Sequence, residues 1–412
     1  MDLLQDLLGL IAVDSVALVD VSPACPYGEN VAKALEYVKN LCQKYGLPFT
    51  HLDNKVAWVE IGQGEENVAV LSHLDIVPVG SGWKHNPKGE VVGDRLYGRG
   101  VVDDKGPTVA VLHGMAEIMA EKIPLNRRIR LILGQCEEGG DWSDMDYYKA
   151  NQTLPVWGFT PDADFPAIYG EMGILELKLS MNLAESGILS AQGGDASNMV
   201  PGHCTVTFAD KTLETTGKSA HASTPEKGEN AIAKAMAEGR GKFADFFNHH
   251  IGMDYTGAKM GCGFSDVQSG HLTLNAGTIR TTETHVELVL DLRIPVTYTE
   301  KQVEEAVAKA CLPYGIQVET LESLGAVYMD KNGKVIEAML QVYRQHTGDM
   351  TPPQVIGGGT YARAMDNIVA FGPMQPSREC TEHQPDEYIL LEDLQTAKAI
   401  YKDAMVKLAN LE

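Results

Sequence analysis

The sequence predicts an α/β domain, with a central mixed sheet flanked by helices, that is interrupted by a smaller α+β domain. Three observations carry this. Up to residue 176, short runs of β-branched and small apolar residues alternate with segments of helical period, the signature of an α/β layer fold. From 177 to 324 apolar and polar residues alternate as in paired antiparallel strands. From 325 to 412 helical periodicity returns. The first and last segments are therefore expected to form one domain around the inserted one. A chain of 412 residues is long enough for two domains.

Element by element, Met1–Leu8 reads as an amphipathic helix without the basic start of a signal peptide. Glu29–Tyr45 places Val31, Leu35, Val38 and Leu41 on one helical face, with Gly46 as the C-cap. Phe49–Leu52 and Lys55–Ile61 read as short strands, and Val68–Leu71 as a buried one. Pro107–Ile123 follows as a helix with Pro in its first turn, then Arg128–Leu133 as a strand. In the middle segment, strands are expected at Leu175–Met181, Thr205–Phe208, Leu213–Gly217, Leu272–Ile279, Val286–Leu292 and Ile316–Leu321. Helices are expected there at Asn230–Phe247 and Glu300–Leu312. Val335–His346 and Leu391–Leu411 read as helices, with Ile368–Phe371 a short buried strand.

The net charge of −22 argues against nucleic acid and against an anionic membrane surface as partners. No apolar run reaches the length of a membrane span. The seven cysteines are scattered, odd in number and without a Cys-x-x-Cys pair. That pattern fits reduced thiols and a cytoplasmic protein rather than a disulfide framework.

Chemistry-bearing residues gather where strands end. The Val68 strand runs into Ser72-His73-Leu74-Asp75, and the Arg128 strand into Cys136-Glu137-Glu138-Gly139-Gly140. A glycine-rich turn, Gly98-Arg99-Gly100-Val101-Val102-Asp103-Asp104-Lys105-Gly106, precedes the Pro107 helix. Pro161-Asp162-Ala163-Asp164-Phe165-Pro166 is a stiff acidic loop, and Arg378–Glu387 is a polar loop holding His383. Taken singly, each reads equally well as a strand-end histidine, a charged turn or a solvated helix start. Together they offer two histidines and several carboxylates at strand or loop ends, an inventory that suits two divalent ions sharing a carboxylate.

Three of these blocks, Ser72–Asp75, Gly98–Gly106 and Glu137–Gly139, resemble the signature blocks of the dinuclear zinc metallopeptidases. That family contains carboxypeptidase G, aminoacylase, succinyl-diaminopimelate desuccinylase and carnosinase. Thr160–Pro166 and Gly357-Gly358-Gly359-Thr360-Tyr361 resemble its Xaa-His dipeptidase (dipeptidase V) branch, and the match runs in order over nearly the whole chain. The resemblance implies a metallopeptidase catalytic domain with an inserted lid. It implies His73, Asp103, Glu138, Asp162 and His383 as metal ligands, with Asp103 bridging, Asp75 orienting His73 and Glu137 as general base. His221, in Gly217–Ser223, matches the histidine that reaches over the site to polarise the scissile carbonyl. Asn198 and Arg293 match groups that bind the substrate's terminal carboxylate, and the Gly358, Gly359 and Thr360 turn offers backbone N–H groups to it.

Two departures from the family stand out. Cys136 occupies a place more often polar or acidic, and the insert is shorter than in the dipeptidase V branch but longer than in dimeric carboxypeptidases. The expected protein is a metal-dependent dipeptidase with two divalent ions per chain. Zinc is favoured, manganese and cobalt are alternatives, and a monomer is favoured over a homodimer. The rivals are an N-acyl amino acid deacylase, which needs the same metals and base, and a non-catalytic metal- or peptide-binding homologue. Asp164 or Asp162 is the candidate partner for a substrate's free amino group.

Overall fold

The computed structural model describes residues 1–19 and 21–412. The chain forms two compact units: Met1–Tyr169, Met329–Gln354 and Thr360–Glu412 make one, and Gly170–Tyr328 with Val355–Gly359 makes the other. The Gly357–Gly359 turn, expected with the C-terminal segment, therefore groups with the inserted unit.

The first unit is built on a mixed sheet. Its strands follow the order Phe49–Leu52, Val56–Ile61, Arg128–Gly134, Asn67–His73, Gly158–Thr160 and Ile368–Ala370, after which Ile168 pairs with Ala370. The strands from Arg128–Gly134 to Ile368–Ala370 are mutually parallel, and the Phe49 and Val56 strands are antiparallel. Every residue of Asn67–His73 is buried. Both faces of that strand are covered, which is why it reads as an unbroken apolar run rather than an alternating one. On one face Ala69 and Leu71 pack with Trp58, Ile132, Tyr148 and Tyr361. Truncating a side chain such as Leu71 to Ala would cost about 2–5 kcal/mol.

The helix expected at Pro107–Ile123 spans Lys105–Ala120. It is buried on all sides from Lys105 to Ala116, as a core helix must be, and packs against Leu391–Ala409. Glu29–Tyr45 ends as expected at Gly46, whose φ of 70° is left-handed. Ser143–Asn151 is a helix that the sequence reading missed.

The inserted unit is a seven-stranded sheet in the order Thr212–Thr216, His203–Phe208, Ile188–Gly193, Thr273–Thr281, His285–Ile294, Gly173–Asn182 and Gln317–Leu324. All its pairings are antiparallel. Leu175, Leu177 and Leu179 alternate onto a buried core shared with the helices Ala231–Glu238, Lys242–His250 and Glu300–Cys311. The single helix expected over Asn230–Phe247 is broken into two. At the break Gly241 has φ 110°, and a Cβ there would lie 2.8 Å from Gly187 Cα. A side chain is excluded by both conformation and space, so the chain must leave the helix. Ile188–Gly193, also missed, joins the two halves of this sheet.

No helix among the described residues is long and apolar enough to cross a membrane. All seven cysteines are free thiols.

Candidate metal centre and active site

Sheet topology gathers the expected ligands. Asn67–His73 lies between its parallel neighbours Arg128–Gly134 and Gly158–Thr160. The three strands run out on one edge, into His73, into Glu137-Glu138 and into Asp162. Carboxyl ends of parallel strands are where α/β sheets bind ligands. Asp103 arrives from the turn before Lys105–Ala120, and His383 from the loop before Leu391–Ala409.

Asp103 is shared by two sets of donors. Its Oδ1 lies 2.9 Å from His73 Nε2, and Asp162 Oδ1 stands 3.8 Å from the same nitrogen. Its Oδ2 lies 2.9 Å from His383 Nε2, which is also 2.9 Å from Glu138 Oε1. Donors about 2.0–2.2 Å from a tetrahedral zinc ion stand about 3.4 Å from one another, so these spacings fit. One donor atom each of His73, Asp103 and Glu138 lies within 4.8 Å of the other two. His73 Nε2 and Asp103 Oδ1 are buried and make no hydrogen bond. Imidazole and carboxylate donors in this arrangement suit zinc, manganese or cobalt.

The electrostatics point the same way. Burial pushes the carboxyls of Glu137, Asp162 and Glu138 up, and the Asp103 charge adds to it. Burial works against charge on Asp103 too, but the imidazoles of His383 and His73 outweigh it and hold that carboxyl below the usual range. Hydrogen bonds to Asp103 and Glu138 push His383 up to about 11. Burial opposes charge on His73, yet Asp103, Asp162 and Asp75 raise its pKa. Carboxylates crowded in this way call for positive charge nearby, which a divalent cation would supply.

The surrounding residues hold the donors in place. His73 Nδ1 donates to the Asp75 backbone carbonyl at 3.0 Å, which leaves Nε2 as the donor atom toward a metal. The Asp75 carboxylate, 3.4 Å from Nδ1, accepts instead from the backbone N–H groups of Glu137, Glu138 and Gly139 at 3.1, 2.9 and 3.4 Å. Asp75 therefore positions His73 chiefly through its main chain and the glutamate turn through its side chain. Asp104 is not among these donors. Its Oδ2 accepts from Ser72 Oγ and from the His73 N–H at 3.2 Å. Tyr361 stacks edge-on to His73 at 6.0 Å and donates to Asp144, which also accepts from Gln135 N–H. Cys136 is buried against Tyr27 and Val31, and burial first, then Asp75, pushes its thiol up to about 12. It fills space rather than joining the donor set.

Within the inserted unit, His221 Nδ1 accepts from the Ser223 backbone N–H at 3.2 Å and lies 2.7 Å from Ser223 Oγ. A main-chain N–H can only donate, so the proton of a neutral His221 resides on Nε2. Burial, then the Arg293 charge, lowers the His221 pKa and favours that neutral form. Arg293 binds Asp291 through Nε and Nη2, both at 2.7 Å, and donates from Nη1 to the Gly357 carbonyl at 2.9 Å. A guanidinium has five N–H donors, so two remain for a substrate. The Asn198 side chain is exposed, while its carbonyl accepts from Ala222 N–H at 2.8 Å. Asn275, unnoticed in the sequence, fixes that loop by donating to the carbonyls of Ser197 and Met199 at 2.9 and 2.8 Å. Gly358 and Gly359 belong to this unit, whereas Thr360 belongs to the first, where its Oγ1 accepts from Ala362 N–H.

Residues 69–407 match the model of peptidase family M20/M25/M40, and the chain belongs to that family of hydrolases. It is 31% identical to "Putative dipeptidase SH1171" of Staphylococcus haemolyticus over 456 aligned positions, covering 98% of this chain and 97% of that one. An M20 metallo-carboxypeptidase of Sulfolobus solfataricus superposes with a TM-score of 0.64 at 19% identity, covering 99% of both chains. The aminoacylhistidine dipeptidase of Vibrio alginolyticus also gives 0.64, at 14% identity, covering 99% of this chain and 96% of that one.

Proposed function

We propose that the protein is a metal-dependent dipeptidase acting on short peptides with a free terminal carboxylate. The observation that carries the reading is the Asp103 carboxylate, placed between His73 and Asp162 on one oxygen and His383 and Glu138 on the other. Two divalent ions held there, zinc in preference to manganese or cobalt, would polarise the scissile carbonyl and acidify a water. Glu137 takes the proton of the attacking water and returns it to the departing amine. Its half-buried side chain follows the same strand as Glu138 and lies on the turn that Asp75 holds. His221 donates its Nε2 proton as a hydrogen bond to the carbonyl oxygen as that oxygen gains charge. Arg293 and Asn198, with backbone N–H groups of Gly358, Gly359 and Thr360, hold the terminal carboxylate. Asp164 or Asp162 receives the substrate's amino group. The protein works as a cytoplasmic monomer, with no nucleic-acid or membrane partner.

The experiment is hydrolysis of a dipeptide and of its N-acetylated form by metal-loaded protein, before and after chelation. Preference for the free dipeptide, lost on chelation, supports the reading. Preference for the acetylated form would make the protein an N-acyl amino acid deacylase, and turnover of neither would favour a binding protein.

A further inference from the structure

Glu387 lies four residues beyond His383 and is fully buried. Its carboxylate accepts from Arg99 Nη1 at 2.7 Å, from the Gly100 N–H at 3.1 Å and from the Val102 N–H at 3.0 Å. Its main-chain carbonyl accepts from the Gly98 N–H at 3.0 Å. Every one of these donors belongs to the turn that ends at Asp103. The residue next to Asp103 is thus fixed by a carboxylate that travels with His383.

The other end of this connection turns sharply. His383 has φ 62° and Asp386, next to Glu387, has φ 61°, the left-handed region that histidine and aspartate enter more readily than most non-glycine residues. Asp386 accepts from the Lys84 and His85 N–H groups at 2.8 and 2.9 Å, which ties the loop down a second time. The imidazole is more than half exposed, with 53% of its side-chain surface accessible. The ring meets Asp103 and Glu138 at 2.9 Å, and its loop is fixed further along the chain, at Asp386 and Glu387.

We infer that Glu387 is a positioning residue that sets the spacing between His383 and Asp103, and so governs the ion between His383 and Glu138 more strongly than the ion beside His73, which shares only Asp103 with it. The inference rests on the two-ion reading above. The His73 side has its own supports: its ring is fixed by the Asp75 carbonyl and its main chain by Asp104, neither of which touches Glu387. Loss of the Glu387 bonds should loosen the His383 ion far more than the His73 ion, which feels the change only through Asp103.

The test is titration of metal-free, full-length wild type and Glu387→Gln with Co2+ alone, followed by calorimetry and by visible absorption. Wild type should take two ions. Glu387→Gln, nearly isosteric but unable to offer Arg99 a charge, should bind one ion about 10–100-fold more weakly, the usual effect of losing a residue that holds a ligand, and the other with a clearly smaller loss. Excess Co2+ should restore kcat with an unchanged KM. The weakened ion should be the one lost in His383→Ala, so adding Glu387→Gln to that variant should change little further. Two ions bound as in wild type, or both weakened equally, would overturn the inference while leaving the two-ion reading intact. A wild type that takes a single ion would overturn both. Should Glu387→Gln fail to fold by circular dichroism, Glu387→Asp keeps the charge, shortens the reach and must show the same split.

Discussion

His73 Nε2 and Asp103 Oδ1 face each other at 2.9 Å, buried, without forming a hydrogen bond. Two buried polar atoms so placed need a common partner, and a divalent cation is the partner their chemistry suits. Metal-reloaded wild type should therefore contain close to two divalent ions per chain by elemental analysis, and His73→Ala should contain about one. A wild-type plateau at one ion would contradict the dinuclear centre.

Glu137 sits beside Glu138 on a turn whose three N–H groups are held by Asp75. Glu137→Gln should retain both ions but lose nearly all turnover, because an amide cannot take the water's proton. Wild-type kcat in that variant would remove Glu137 from the role of base. Loss of metal instead would exchange its role with that of Glu138.

The Ser223 contacts leave His221 with its proton on Nε2, ready to donate. Donors to a developing oxyanion are worth about 2.7–4 kcal/mol in the transition state. His221→Ala should therefore lower kcat about 100- to 1,000-fold, with metal content unchanged. Nitrogen chemical shifts of His221 should report the Nε2–H tautomer in wild type. A folded, metallated His221→Ala chain with unchanged kcat would exclude it from the reaction.

Asp6 anchors the N-terminal helix, accepting from Lys44 at 2.6 Å, from Tyr45, and pairing with His113 Nε2 at 2.9 Å. Burial raises its pKa, but hydrogen bonds from Lys44, Tyr45 and His113 outweigh that, and the carboxyl lies below its ordinary 3.8. A carboxyl depressed by folding stabilises the protein above the unfolded value, and that contribution disappears as pH falls through the folded one. In metal-free protein, Asp6→Asn should lower Tm clearly at pH 7, and the gap from wild type should narrow only below about pH 4. A constant gap down to pH 2 would show that charge at Asp6 contributes nothing.

The candidate donors stood out in the sequence because each sits where a regular element stops, His73 at the end of a strand, Asp103 just before a helix and Glu138 just after a strand, and the family resemblance then proposed them as one set. Local sequence marks such places. It does not mark Arg99 meeting Glu387, or Asp144 meeting Tyr361, because those partners lie 288 and 217 residues apart and neither pair has a local pattern. The family resemblance makes Asp75 the group that orients His73. Its carboxylate found three amides across the sheet instead. The break at Gly239-Arg240-Gly241 was missed for a related reason: helical periodicity persists on both sides, and the close approach of Gly187 that forces the break is a tertiary fact.

The Asp75 carboxylate gives one side chain authority over two functions that experiments usually separate. Two of its three amide partners belong to Glu137, the proposed base, and to Glu138, a proposed metal ligand. A substitution there would shift the base and one donor together, so metal loss and slowed chemistry would arrive as a single phenotype. Scored by activity alone, Asp75 would be mistaken for a ligand.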